Sequence, residues 1–148
     1  MATDGPSGGV GHEMPALPDL ELKLPARAEN VAVVRHAFGG LAEALSVDEQ
    51  TLADIKLAVT EACTNVVIHA YEPDEHGPLE VDASIHDRRL KVVIRDRGRG
   101  IVPRPDSPGL GLGLPLIATL AESLELGKDA QDNTEVRMTF ALDEEGLP

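Results

Sequence analysis

From Asp19 to Leu24 apolar and polar positions alternate, with Leu20, Leu22 and Leu24 on one side and Glu21 and Lys23 on the other. A period of two predicts a strand with one buried face, and Pro25 ends it. Between Ala28 and Leu45 the period lengthens: Val31, Val34, Phe38, Leu41 and Leu45 recur at helical spacing. Gly39 and Gly40 interrupt that pattern, each costing about 1 kcal/mol against Ala in a helix. Close packing against another element is the expected reason for them. Ser46-Val47-Asp48-Glu49 has the form of a capping box, which predicts the start of a second helix. Leu52, Ile55, Val59, Ala62, Val66 and Ala70 form its apolar stripe, so the helix should run to about His69.

Beyond a turn-rich loop at 72–78, residues Leu79 to Ile85 alternate and Leu90 to Ile94 form a denser apolar run. Asp87-Arg88 lies between them, which predicts a hairpin. Pro103, Pro105 and Pro108 exclude regular structure over 101–108. A third helix is predicted from Leu114 to about Leu126, with Pro115 in its first turn. Thr134 to Ala141 alternates again, with Val136, Met138 and Phe140 on one face. The expected domain is therefore residues 19–142, between a Gly- and Pro-rich tail at 1–18 and an acidic tail at 143–148. Grouped strands with helices to one side predict an α+β two-layer sandwich.

Composition narrows the function. A chain of 148 residues suits one domain with a real core. Phe38, Tyr71 and Phe140 are its only aromatics, so that core must be aliphatic. A formal net charge of −13 argues against nucleic acid as a partner. Cys63 is the only cysteine, which excludes an intrachain disulfide and predicts a buried, inert thiol in a reducing compartment. No apolar window is long enough to span a membrane. The N-terminus lacks the basic-then-apolar order of a signal peptide. A cytoplasmic protein is the expectation.

Three blocks carry candidate chemistry. Glu61 and Asn65, four apart on the second helix, are neighbours beside its apolar stripe. Asn65 could offer its side-chain oxygen to a magnesium ion, and Glu61 could accept a proton from an attacking hydroxyl or water. A polar helix face making ordinary contacts is the competing reading. Asp96 ends the strand containing Val92-Val93-Ile94 and is followed by Gly98-x-Gly100, a step that permits positive φ and close approach to a flat ligand. Such a carboxylate could accept from the exocyclic amine of adenine; a plain turn is the alternative. Gly109-Leu110-Gly111-Leu112-Gly113 leads into a helix and could hold an anion on exposed amides, or it could be a flexible linker. It is neither a P-loop nor a dinucleotide fingerprint, because it lacks Gly-Lys-Ser/Thr and no strand runs directly into it.

Taken together and in this order, the blocks resemble the N box and the two glycine boxes of the ATPase superfamily that includes gyrase, sensor histidine kinases and mismatch-repair ATPases. Glu61-Ala62-Cys63-Thr64-Asn65 with His69-Ala70-Tyr71, and the upstream Pro25-Ala26-Arg27-Ala28-Glu29-Asn30, are most similar to the bacterial anti-sigma factor serine/threonine kinases. The resemblance runs from about Leu20 to Ala141. It implies the histidine-kinase/gyrase-type fold, a mixed, mostly antiparallel sheet with helices on one face, binding ATP and Mg2+. By the same resemblance Glu61 is the general base and Asn65 the magnesium ligand. Asp96 reads the adenine, with Gly98, Gly100 and Ile101 shaping that wall and Thr134 adding a hydrogen bond. His69, Gly109, Leu110, Gly111, Leu112 and Gly113 complete the nucleotide site. The implied partners are a sigma factor, held inactive, and an anti-anti-sigma antagonist, phosphorylated on serine; a homodimer is also implied.

One departure from the family pattern stands out. Where members often carry an arginine before the second glycine box, this chain has Asp106-Ser107-Pro108, with Arg104 nearest. This departure permits a second reading, a non-catalytic, nucleotide-dependent protein-binding module. A third is a stand-alone ATP-binding domain of a histidine-kinase-like protein, against which stands the lack of room before Leu20 for a phosphoacceptor-helix domain.

Overall fold

The computed structural model describes residues 17–98 and 108–142, with side chains described throughout except at 99–112. Residues 1–16 and 143–148 of the expected tails, Gly100, Ile101 and the rest of the proline-rich stretch up to 107 lie outside that description. Five strands form one sheet. They are β1 (Leu20–Pro25), β2 (Pro78–His86), β3 (Arg89–Asp96), β4 (Ser123–Lys128) and β5 (Thr134–Ala141), in the spatial order β1-β2-β3-β5-β4. Every pairing among them is antiparallel. Three helices, α1 (Ala28–Ala44), α2 (Glu49–Asn65) and α3 (Pro108–Leu120), complete the α+β fold.

Strand alternation decides which face the helices cover. Leu79, Val81 and Ala83 of β2, Leu90, Val92 and Ile94 of β3, and Val136, Met138 and Phe140 of β5 are all buried. They form one cluster with Val34 and Phe38 of α1, Ile55, Val59 and Ala62 of α2, and Ile117 of α3. Leu20, Leu22 and Leu24 extend it across β1. The opposite face is charged. Arg95 reaches Asp82 at 2.8 Å and Glu135 at 2.5 Å, and Arg137 reaches Glu135 at 2.7 Å and Glu125 at 3.3 Å. This ladder explains how Glu80 and Glu135 tolerate burial: Glu80 is paired with Arg97 and Glu135 with two arginines.

The hairpin between β2 and β3 turns on Asp87 and Arg88, both left-handed at φ 52° and 62°. That is the backbone of a two-residue hairpin turn whose twist matches the strands. Several boundaries differ from the sequence expectation. Asp48, not Ser46, caps α2, accepting from the Thr51 N–H at 3.0 Å, while Ser46 takes a left-handed conformation in the turn before it. Close packing does not account for the α1 glycines, since a Cβ at Gly40 would meet open space and one at Gly39 only the tip of Lys56. The third helix begins at Pro108, includes the glycine run, and stops at Leu120. Pro115 is therefore inside the helix rather than in its first turn, and Ser123–Lys128 is an edge strand rather than a helix end. The Cys63 thiol is buried as expected, and burial pushes it up to about 12.

Candidate functional site

The apolar stripe of α2 brings Asn65 inward. Its neighbours Ala62, Cys63 and Val66 are fully enclosed, and Asn65 itself is 4% exposed. From Val66 to Ala70 the helix widens into a π turn before Tyr71 leaves in extended conformation. Single π turns inside α-helices frequently mark functional sites, and this one directly follows Asn65. The amide Nδ2 of Asn65 has no hydrogen-bond partner among the described residues, although it is buried. Native proteins rarely leave such a group without a purpose. Facing it is Gly113 in the second turn of α3, where a Cβ would stand 2.7 Å from that nitrogen. A glycine is needed there to leave the amide room. Glu61, one turn before Asn65, is half-buried and has no hydrogen-bond or ion-pair partner among the described residues.

The second wall comes from the sheet. Leu90, Val92, Ile94 and Asp96 alternate onto the helix-covered face, so the apolar stripe of β3 ends in a carboxylate. Asp96 is 2% exposed. It pairs with Leu79 on one side and Thr134 on the other, which sets Asp96 and the half-buried Thr134 on adjacent strands at one sheet end. The Gly98 N–H donates to Asp96 Oδ1 at 3.0 Å. A carboxylate offers about four lone-pair positions and can accept more than one hydrogen bond. Gly98 owes its identity to contact rather than to positive φ: a Cβ there would overlap the Ala70 carbonyl oxygen. The π turn of α2 and the exit of β3 therefore touch at Ala70 and Gly98.

Tyr71 joins these two walls, whereas in the sequence it contributes only to the His69-Ala70-Tyr71 resemblance. Its hydroxyl donates to the Pro78 carbonyl at 2.6 Å and accepts from the Arg97 N–H at 2.9 Å. Burial pushes this hydroxyl above its ordinary value, against the opposing effect of the Arg97 amide, so it remains a donor at neutral pH. The available signal was weak: one tyrosine in a chain with few aromatics.

The third wall is α3. Because the helix begins at Pro108, residues 109–111 lie in its first turn, where backbone N–H groups have no intrahelical acceptor. Gly109, Leu110, Gly111 and Leu112 are thus helical, and the helix end whose dipole suits an anion lies at the start of the glycine run instead of after it. Of the expected site residues, the structure brings Asn65 to Gly113 and Asp96 to Gly98 and Thr134. His69 lies in the π turn, half-buried. Among the described residues no three His, Cys, Asp or Glu are grouped to hold a metal by themselves. A magnesium ion coordinated mainly by water and phosphates needs only one or two protein ligands. The buried, unpaired end of the Asn65 amide fits that need, because turning the amide presents its oxygen in the same place.

Comparison with known proteins gives the family. The family described as a histidine kinase-like ATPase domain matches residues 24–140. The serine-protein kinase RsbW of Halalkalibacterium halodurans is 36% identical, over 75% of this chain and 76% of that protein. The RsbW of Bacillus licheniformis is 31% identical, over 85% and 87%. A crystal structure of the RsbU and RsbW domains of a Mycobacterium tuberculosis protein gives a TM-score of 0.67 at 25% identity. That match covers 86% of this chain but 32% of the longer one. The histidine kinase domain of a blue-light activated histidine kinase from Erythrobacter litoralis gives 0.53 at 22% identity and shares the fold. The chain belongs to the histidine kinase-like ATPase family, in the branch of the serine-protein kinases.

Proposed function

We propose that this protein is an ATP- and magnesium-dependent serine kinase that also binds a sigma factor and is countered by the antagonist protein it phosphorylates. The observation that carries the reading is the buried Asn65 amide with an unpaired Nδ2 and a glycine opposite it. In the proposed reaction Asp96 accepts from the exocyclic amine of adenine, and Thr134 supports the base from the neighbouring strand. The first amides of α3 would face the phosphates, and Asn65 would hold the cation. When bound, magnesium neutralises charge on the phosphates. Glu61 orients the substrate serine hydroxyl and takes its proton as the serine oxygen bonds to the γ-phosphorus. The bond from that phosphorus to the β–γ bridging oxygen breaks, and ADP leaves.

The same reading makes the protein cytoplasmic and dimeric. No helix among the described residues is long and apolar enough to cross a membrane. Its net charge of −13 favours protein partners over nucleic acid.

Glu61→Ala tests the mechanism. The variant should bind ATP as the wild type does while transfer of radiolabel to the antagonist serine falls by about 10²–10⁴-fold, the usual effect of a positioned base. Undiminished transfer would remove Glu61 from the mechanism. A wild-type protein that binds ATP and a sigma factor yet labels no antagonist would instead favour the non-catalytic binding module.

A further inference from the structure

The proposed reaction has no use for Tyr71, yet Tyr71 is the residue on which both walls of the site close. One hydroxyl makes two bonds of opposite sense, donating to Pro78 at the start of β2 and accepting from Arg97 beyond the end of β3. Neither partner is a side chain. The ring is wedged between the backbone at Gly77 and at Gly98, two glycines where a Cβ would collide with it. The segment 96–98 is thereby held at three points. Asp96 is in the sheet ladder, the Arg97 amide is on the Tyr71 hydroxyl, and Gly98 lies against the Ala70 carbonyl while donating back to Asp96. Of these, the hydroxyl bond holds the N–H of the peptide that links Asp96 to the turn closing over its carboxylate.

We infer that Tyr71 is a positioning residue for base selectivity: its hydroxyl fixes the Arg97 amide and, through it, the direction in which the Asp96 carboxylate faces the purine. The inference rests on the reading of Asp96 as the adenine acceptor. Adenine presents an N–H donor to that carboxylate; a 6-oxopurine presents an acceptor in the same place and is repelled. Discrimination of this kind needs a carboxylate that cannot turn aside or admit a bridging water, since hydrogen bonds weaken steeply as their angle falls. With the Arg97 amide untied, the turn from Asp96 to Gly98 loses one of its anchors, and the backbone that aims the carboxylate can shift.

The test compares magnesium complexes of ATP and inosine triphosphate, by calorimetry, on the whole protein and on Tyr71→Phe. Phenylalanine keeps the ring between the two glycines and removes only the hydroxyl. Wild type should prefer ATP by about tenfold or more, the effect of one charge-assisted hydrogen bond. In Tyr71→Phe that preference should fall by roughly threefold or more, with ATP affinity lowered. General loosening of the fold cannot mimic this, because a reduced competent fraction weakens both nucleotides equally and leaves their ratio unchanged. An unchanged ratio in Tyr71→Phe overturns the inference. A wild type with no preference overturns the Asp96 reading itself.

Discussion

A single methyl group shows how tightly the site is drawn. At Gly98 it would overlap the Ala70 carbonyl, a backbone atom that cannot swing away. Gly98→Ala should therefore lower unfolding free energy by about 1–3 kcal/mol, and weaken ATP binding in parallel, as the π turn and the β3 exit are forced apart. Urea denaturation and calorimetry on one preparation check both; loss of neither would mean the contact is slack. At Gly113 the neighbour is a side chain, Asn65, so the same change should disturb the amide more than the fold. Most of these residues were legible in the sequence. Asp96 continues the stripe of Leu90, Val92 and Ile94, so alternation alone sends a carboxylate to the core side, and Asn65 stands out on an apolar helix face. Tyr71 was not legible in this way. Its partners are the backbone atoms of Pro78 and Arg97, and a backbone atom leaves no mark in the sequence.

At the scale of elements, α1 carries two glycines without a packing reason. Gly40 is exposed and has open space where a Cβ would be. Gly40→Ala should stabilise the protein by about 0.4–1 kcal/mol, by narrowing the unfolded ensemble and favouring the helix. A urea midpoint that fails to rise would point to a constraint outside the described residues. Helices and central strands followed from periodicity because each carries several repeats. The edge strand β4 did not. Leu114, Ile117, Ala121 and Leu124 keep helical spacing, and only Leu124 and Leu126 alternate as a strand would, so the period of the helix overran its end. The glycine run misled for a different reason. Gly weakens helices by propensity, yet α3 packs on α2 through Gly113 and Ile117, and tertiary contact overrides local preference.

At the scale of the whole molecule, acid should unfold it in a way that two carboxylates report. Hydrogen bonds from Arg89 hold Glu122 below the usual carboxylate range. For Asp129, burial acts upward but is outweighed by bonds from Asn133 and Gln131, and the group is held low. A depressed folded value means that the contribution is complete above the unfolded value, near ~4, and is lost as pH falls through the folded one. Asp129→Asn should therefore lower the urea midpoint at neutral pH and differ little from wild type near pH ~3. A gap of equal size at both pH values would show that the loop depends on shape and not on charge. The strand order has a consequence for how the protein is made. β5 lies between β3 and β4, yet it leaves the ribosome after both. Until Thr134–Ala141 has been synthesised, β3 has a bare edge and Asp96 has no Thr134 opposite it. Helix α2, with Glu61 and Asn65, is translated long before then, so the nascent chain holds its proposed catalytic residues for some time before it can close the pocket that gives them a nucleotide.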